Sequence, residues 1–145
     1  MHRWLGNSKV THFLSWGSAN RADTASHLAD TLAGQRAEFR KEYFLAIKLK
    51  ATGRIIGDTG FSWVEESVAE IGYFLEPAYW GNGFATEAAS MVVALAFDLG
   101  AERVVADCDA RNTASERVMQ SLGMSPQKST NPNRLSYGLI RNPDI

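Results

Sequence analysis

The chain has 145 residues, 45% of them hydrophobic and 21% charged, with a formal net charge of -1. This is length enough for one domain over residues 1–145 with a packed core, in an ordinary globular composition. The near-neutral balance gives no reason to expect nucleic acid or an anionic membrane as partner; no apolar run approaches the roughly 20 residues of a membrane span and no apolar signal core opens the chain, so the cytoplasm is the expected location.

In chain order, residues 7–16 read as a short helix or turn with Asn7 or Ser8 as N-cap. A longer helix is predicted over 23–40, capped by Asp23. Its apolar face is Ala25, Leu28, Ala29, Leu32 and Ala33, and Gly34 weakens its middle. Tyr43 to Leu49 alternates as a strand, the turn Ala51-Thr52-Gly53 leads into a second strand over 54–64, and a third follows at about 68–75. The short connections predict an antiparallel meander. A largely buried helix is expected from about Phe84 to Leu99, closed by Gly100. Arg103 to Cys108 reads as a strand, 113–122 as a helix ended by Gly123, and 124–127 and 134–141 as two short strands. Strand-helix-strand from 68 to 108 is long enough for a parallel crossover, so the expected fold is α/β with a mixed central sheet.

The single cysteine, Cys108, excludes an intrachain disulfide and sits in an apolar strand as a core thiol. His2, His12 and His27 are scattered without metal-ligand spacing, so no metal is expected. The strand-to-helix turn Gly81-Asn82-Gly83 is more telling. The first amides of a helix lack intrahelical partners and lie at its positive end, and glycines beside them let a diphosphate approach. Asn82 can add a donor. A bare Gly-x-Gly is also compatible with a tight turn that binds nothing. A dinucleotide fingerprint is excluded, because its third glycine is missing and the segment follows a meander.

The stretch AEIGYFLEPAYWGNGFATEA (Ala69 to Ala88), followed by RNTASERVMQSLGM (Arg111 to Met124), resembles the GNAT superfamily of N-acetyltransferases, and within it the RimJ/RimL-type branch that acetylates ribosomal-protein N-termini. The resemblance covers roughly 5–141 and is firmest over 69–124. The family's acyl-CoA signature, Gln/Arg-x-x-Gly-x-Gly/Ala, falls on Trp80 to Ala85, with Trp80 in place of Gln or Arg. The resemblance implies a GNAT fold with acetyl-CoA as co-substrate. It implies that the amides of Gly81, Asn82, Gly83, Phe84 and Ala85 hold the pyrophosphate. It implies too that Tyr73, Phe74 and Leu75 lie on a strand splayed from its neighbour, pairing their backbone with pantetheine and polarising the thioester carbonyl.

Glu70 matches the family's strand glutamate that serves as general base, although the residue alone reads equally as an exposed strand carboxylate. Asn112 and Ser115 match positions that contact pantetheine or the CoA sulfur, while by sequence Thr113-Ala114-Ser115-Glu116 is a capping box and Asn112 a cap or turn residue. The family's tyrosine acid, seven residues after the asparagine, is here Met119, so Ser115 or water would replace it. Phe44, Phe61 and Trp63 are expected in the core or a pocket wall, and Phe13 and Trp16 near the acceptor. The family's first strand and helix have no counterpart here, and Lys48 is the one gatekeeper charge on strand 43–49. The expectation is a symmetric homodimer, or a chain shortened at its start.

The function so implied is transfer of an acetyl group from acetyl-CoA to a primary amine, a protein N-terminal α-amine or a small molecule, by direct attack in a ternary complex. A non-catalytic acyl-CoA-binding module is the alternative, and a small interaction domain stands behind both.

Overall fold

The computed structural model describes residues 1–143. Two one-turn helices, α1 (His2–Leu5) and α2 (Ser8–Thr11), open the chain, and α3 (Arg21–Gln35) follows. The strands β1 (Glu42–Lys48), β2 (Ile55–Glu65) and β3 (Val68–Leu75) come next, then α4 (Phe84–Asp98), β4 (Arg103–Asp109), α5 (Thr113–Ser121), β5 (Ser125–Gln127) and β6 (Arg134–Ile140). They make one six-stranded mixed sheet of order β1-β2-β3-β4-β6-β5. The expected meander is present, since β1, β2 and β3 pair antiparallel, and β3 to β4 is the parallel crossover through α4.

Side chains alternate across a strand, so the sheet has two distinct faces. On one face Phe61, Ala69, Ile71, Val104, Ala106 and Cys108 pack against Val92, Val93 and Ala96 of α4 and Met119 of α5. Burying each such valine stabilises by about 1.5–3 kcal/mol, and this face is the main core. Tyr43 stacks on Phe61 and Trp63 meets it edge-on, with ring centroids 4.7 and 5.4 Å apart. The opposite face carries the N-terminal helices. There the buried Trp4 donates its indole N–H to Asp58, and Glu76 receives both Arg3 and Arg54, fastening α1 to the end of β3. Burial pushes the Asp58 carboxyl up, with the Trp4 hydrogen bond opposing it.

Two sequence expectations are corrected. The helix predicted over 23–40 spans Arg21–Gln35, and its cap is Asn20, whose side chain accepts from the Asp23 amide while Asp23 accepts from the Asn20 amide. Its inward positions are Thr24 and Thr31, so the stripe expected inside is exposed, Leu28 at 42% and Leu32 at 44%. Thr24 bonds the Asn20 carbonyl and His2, and that polar seat turns the helix away from its apolar face. Second, α4 buries one stripe only, leaving Met91 70% exposed. The short helix or turn expected over 7–16 is present, as the helix Ser8–Thr11 capped by Asn7 and turns beyond it.

Candidate active site

The sheet opens where its two central strands part. The parallel ladder joins Val68, Ala69 and Glu70 to Arg103, Val104 and Val105, and stops there. Beyond it β3 runs on to Leu75 and β4 to Asp109 with no bond between them, while each stays paired on its other side. Tyr73, Phe74 and Leu75 therefore lie on the free stretch of β3. Backbone polar groups facing that opening have no strand to pair with, which is what an extended ligand chain needs.

Below the opening, Pro77–Tyr79 makes a single 3₁₀ turn and Trp80 leads into the glycine turn. Gly81 and Gly83 both take positive φ, +76° and +77°. A Cβ at either would meet nothing within 4 Å, so the glycines are dictated by backbone conformation and what they leave free is space for something else. The helices α2, α3 and α5 each begin on an asparagine whose side chain caps them, whereas α4 begins on Gly83 with no side-chain cap. Its leading amides, including those of Phe84 and Ala85, fit an anionic ligand. Asn82 does not offer its amide nitrogen outward as expected: it donates to the carbonyls of Tyr79 and Trp80, 3.3 and 3.1 Å away, and so shapes the turn. Trp80 has a part that sequence did not disclose. Its indole N–H donates to the Leu75 carbonyl at 3.1 Å, tying the turn to the end of β3.

Glu70 stands at the last paired position, on the sheet face opposite the main core. Burial raises its pKa first and the neighbouring Asp107 raises it further, while Arg134 opposes both. Asp107 is itself held by Arg134 at 2.6 Å. Ser115 and Asn112 arrive from the start of α5. Asn112 is the N-cap, as one of its two sequence readings had it, its side-chain oxygen accepting from the Ser115 amide at 3.1 Å, so the helix is capped there and not by a capping box starting at Thr113. Two hydroxyls meet on the core-side face: Tyr73 Oη lies 2.9 Å from Ser115 Oγ and donates to the Ser115 carbonyl at 3.0 Å. Cys108 is buried beside them, its thiol reaching the Asn112 carbonyl at 3.8 Å, and burial pushes its pKa up, as befits a core thiol. Met119 is fully buried in the core and takes no part.

The flanking residues divide. Phe13 reaches the site's rim, its ring 5.4 Å from the Arg111 guanidinium at the β4–α5 turn, whereas Trp16 stands 55% exposed. Phe44 is half-buried on the edge strand and Phe61 is core. A cavity of about 380 Å³ between α2 and the glycine turn is lined by Ser8, Lys9, His12 and Trp80, none of the first three signalled by any motif. Another, of about 410 Å³, lies at Asp109, Ala110, Arg111 and Asn133. Among the described residues no helix is long and apolar enough to cross a membrane.

Comparison with known proteins agrees with this geometry. The family model described as acetyltransferase (GNAT) domain matches residues 1–125. The uncharacterized N-acetyltransferase YoaA of Bacillus subtilis is 32% identical over 126 residues, covering 85% of this chain and 71% of that protein. The chain spans about half the length of further Bacillus relatives it matches. Among solved structures, a GNAT-family acetyltransferase from Bacillus anthracis superposes with a TM-score of 0.81 at 24% identity, over 97% of this chain and 86% of that one. RimL, a ribosomal alpha-N-protein acetyltransferase solved with coenzyme A, gives 0.77 at 20% identity, over 94% and 83%. At those identities the two structures speak to the fold. The match over most of its length and the identity to YoaA place the sequence: this chain belongs to the GNAT acetyltransferase family, whose enzymes take acetyl-CoA as co-substrate.

Proposed function

We propose that residues 1–145 act as one acyl-CoA N-acyltransferase domain that moves the acetyl group of acetyl-CoA onto a protein N-terminal α-amine, in the manner of the RimJ/RimL-type branch. The observation that carries the reading is the opening between β3 and β4, with a carboxylate on one sheet face, a pair of hydroxyls on the other and an uncapped helix start below. The residue roles follow from those positions. Amides of Gly81, Asn82, Gly83, Phe84 and Ala85 take the pyrophosphate, and the backbone groups of Tyr73 to Leu75 that face the opening, other than the Leu75 carbonyl held by Trp80, take the pantetheine and polarise the thioester carbonyl. Asn112 holds the Ser115 amide in place. A neutral amine enters from the Glu70 face and its nitrogen attacks the carbonyl carbon. Glu70 receives the proton the nitrogen sheds, directly or through water, and the C–S bond breaks toward Ser115, whose hydroxyl donates to the departing sulfur. Ser115 thereby supplies a hydrogen bond to the sulfur where the family's tyrosine acid is absent, and the thiolate takes its proton from solvent.

The acceptor class rests on acidity. At pH 7 roughly one α-amine in seven is neutral, against roughly one lysine in 2500, from pKa values of about 7.7–8.0 and 10.4. A site with one carboxylate base suits the easier nucleophile. Release of CoA thiol with a free-N-terminus peptide lacking lysine, against an N-blocked peptide containing lysine, is expected to favour the first by more than tenfold at pH 7. Preference for the blocked peptide would overturn the acceptor class. Acetyl-CoA binding with no thiol release from any amine would favour the non-catalytic module.

We also propose a two-fold pairing of chains. The edge strand β1 has one of its carbonyls, that of Phe44, covered by Gln35 at 2.7 Å, and the stripe of Ala25, Leu28, Ala29 and Leu32 on α3 is exposed beside it. Light scattering over a concentration series is expected to give twice the chain mass. A constant monomer mass would refute the pairing.

A further inference from the structure

The reaction needs a donor aimed at the departing sulfur, and the position the family uses for it is here a fully buried methionine, Met119. Ser115 is the nearest substitute by sequence, but a serine hydroxyl alone rotates and can turn back onto its own helix. In this chain it does not stand alone. From strand β3, 42 residues away in sequence from Ser115 on α5, Tyr73 brings its hydroxyl to 2.9 Å from Ser115 Oγ and 3.0 Å from the Ser115 carbonyl.

We propose that Tyr73 is a positioning residue for acetyl transfer, its hydroxyl setting the direction in which Ser115 donates to the sulfur of acetyl-CoA. This rests on the transferase reading above. Ser115 also has the Cys108 thiol as a hydrogen-bond partner; between the two hydroxyls the heavy-atom geometry admits two proton arrangements. In one, Tyr73 donates to the Ser115 carbonyl and Ser115 spends its own proton on Tyr73. In the other, Tyr73 donates to Ser115 Oγ, which frees the serine proton to face an acceptor in the opening. A sulfur gaining negative charge selects the second arrangement. Atoms balance without proton transfer from either hydroxyl: the N–C bond forms, the C–S bond breaks with its electron pair on sulfur, the amine proton passes to Glu70 or water, and the released thiolate is protonated from solvent. Burial on the core-side face pushes Tyr73 up to about 12, so at neutral pH it stays a donor. Half-burial between β3 and α5 also fixes its ring, which a water molecule in its place would not achieve.

The test is a double-mutant cycle on the full chain with acetyl-CoA and an N-terminal peptide. Tyr73→Phe keeps the ring and is expected to lower kcat about tenfold, the weight of one hydrogen bond to a charging acceptor, with KM for acetyl-CoA unchanged. Ser115→Ala is expected to lower kcat at least as much, and adding Tyr73→Phe to it should cost less than twofold more. Circular dichroism melting checks that each variant is folded, and Tyr73→Leu, which also lacks a donor, serves if Tyr73→Phe is not. Equal losses from Tyr73→Phe with and without Ser115, or a loss confined to KM, would overturn the positioning role while leaving acetyl transfer intact. Absence of any turnover by the unaltered chain would overturn the transferase reading, and this role with it.

Discussion

Replacing Glu70 by glutamine is expected to lower kcat/KM for an amine by about two orders of magnitude or more, the scale of a positioned general base, with acetyl-CoA affinity unchanged. The sign of the pH dependence follows from its surroundings. Burial and Asp107 raise the Glu70 pKa, so the carboxylate form needed to take a proton is lost as pH falls through a value above that of an ordinary glutamate. The acid limb of the pH profile therefore belongs at higher pH than an exposed glutamate would give, and it should vanish in Glu70→Gln beyond what amine protonation imposes. Asp107→Asn removes the like charge and releases Arg134 from its 2.6 Å partner. Both changes favour the ionised form, so the limb should move to lower pH. A Glu70→Gln enzyme with unaltered rates at every pH would reduce Glu70 to a strand carboxylate.

The second large effect is at the turn. Gly83→Asn is expected to weaken acetyl-CoA binding by roughly two orders of magnitude, measured by titration calorimetry, with little change in melting temperature. Gly83 has φ of +77° and an open space where its Cβ would lie. Asparagine tolerates that conformation where a β-branched residue does not. Gly83→Val would therefore mix lost affinity with a strained turn, whereas asparagine keeps the turn and places atoms in the ligand's path. Charge-assisted hydrogen bonds contribute about 1.5–3 kcal/mol each, so losing two at the lower figure gives about that hundredfold. Undiminished affinity would remove the phosphate role of the turn.

What was legible in the sequence divides by the range of the forces involved. The meander, the crossover and the helix after the glycine turn were readable because local chemistry dictates them: alternation over Tyr43 to Leu49, positive-φ glycines at Gly81, Gly83, Gly100 and Gly123, and short connections. The parting of β3 from β4 was expected only through the family resemblance, since nothing in Tyr73-Phe74-Leu75 announces an unpaired edge. Contacts between distant segments were not legible. The Tyr73–Ser115 pair spans 42 residues and Trp4–Asp58 spans 54, and neither leaves a periodic trace. The facing of α3 was misread because the apolar spacing of Leu28 and Leu32 is real while the seat of Thr24 on α1 decides which side turns inward. Sequence offered both Asn112 as a cap or turn residue and Thr113 as the start of a capping box, and the turn at Asp109, which accepts from the Asn112 amide, puts the cap on Asn112.

The most direct measurement is hydrogen exchange of the backbone amides with and without acetyl-CoA. Expected is protection confined to two separate segments, residues 71–75 on the free stretch of β3 and 81–86 at the start of α4, with β1 and β6 unchanged. Protection that spares both segments, or acetyl-CoA bound with exchange altered only around the cavity at Asp109 and Asn133, would contradict a co-substrate seated where the two strands part.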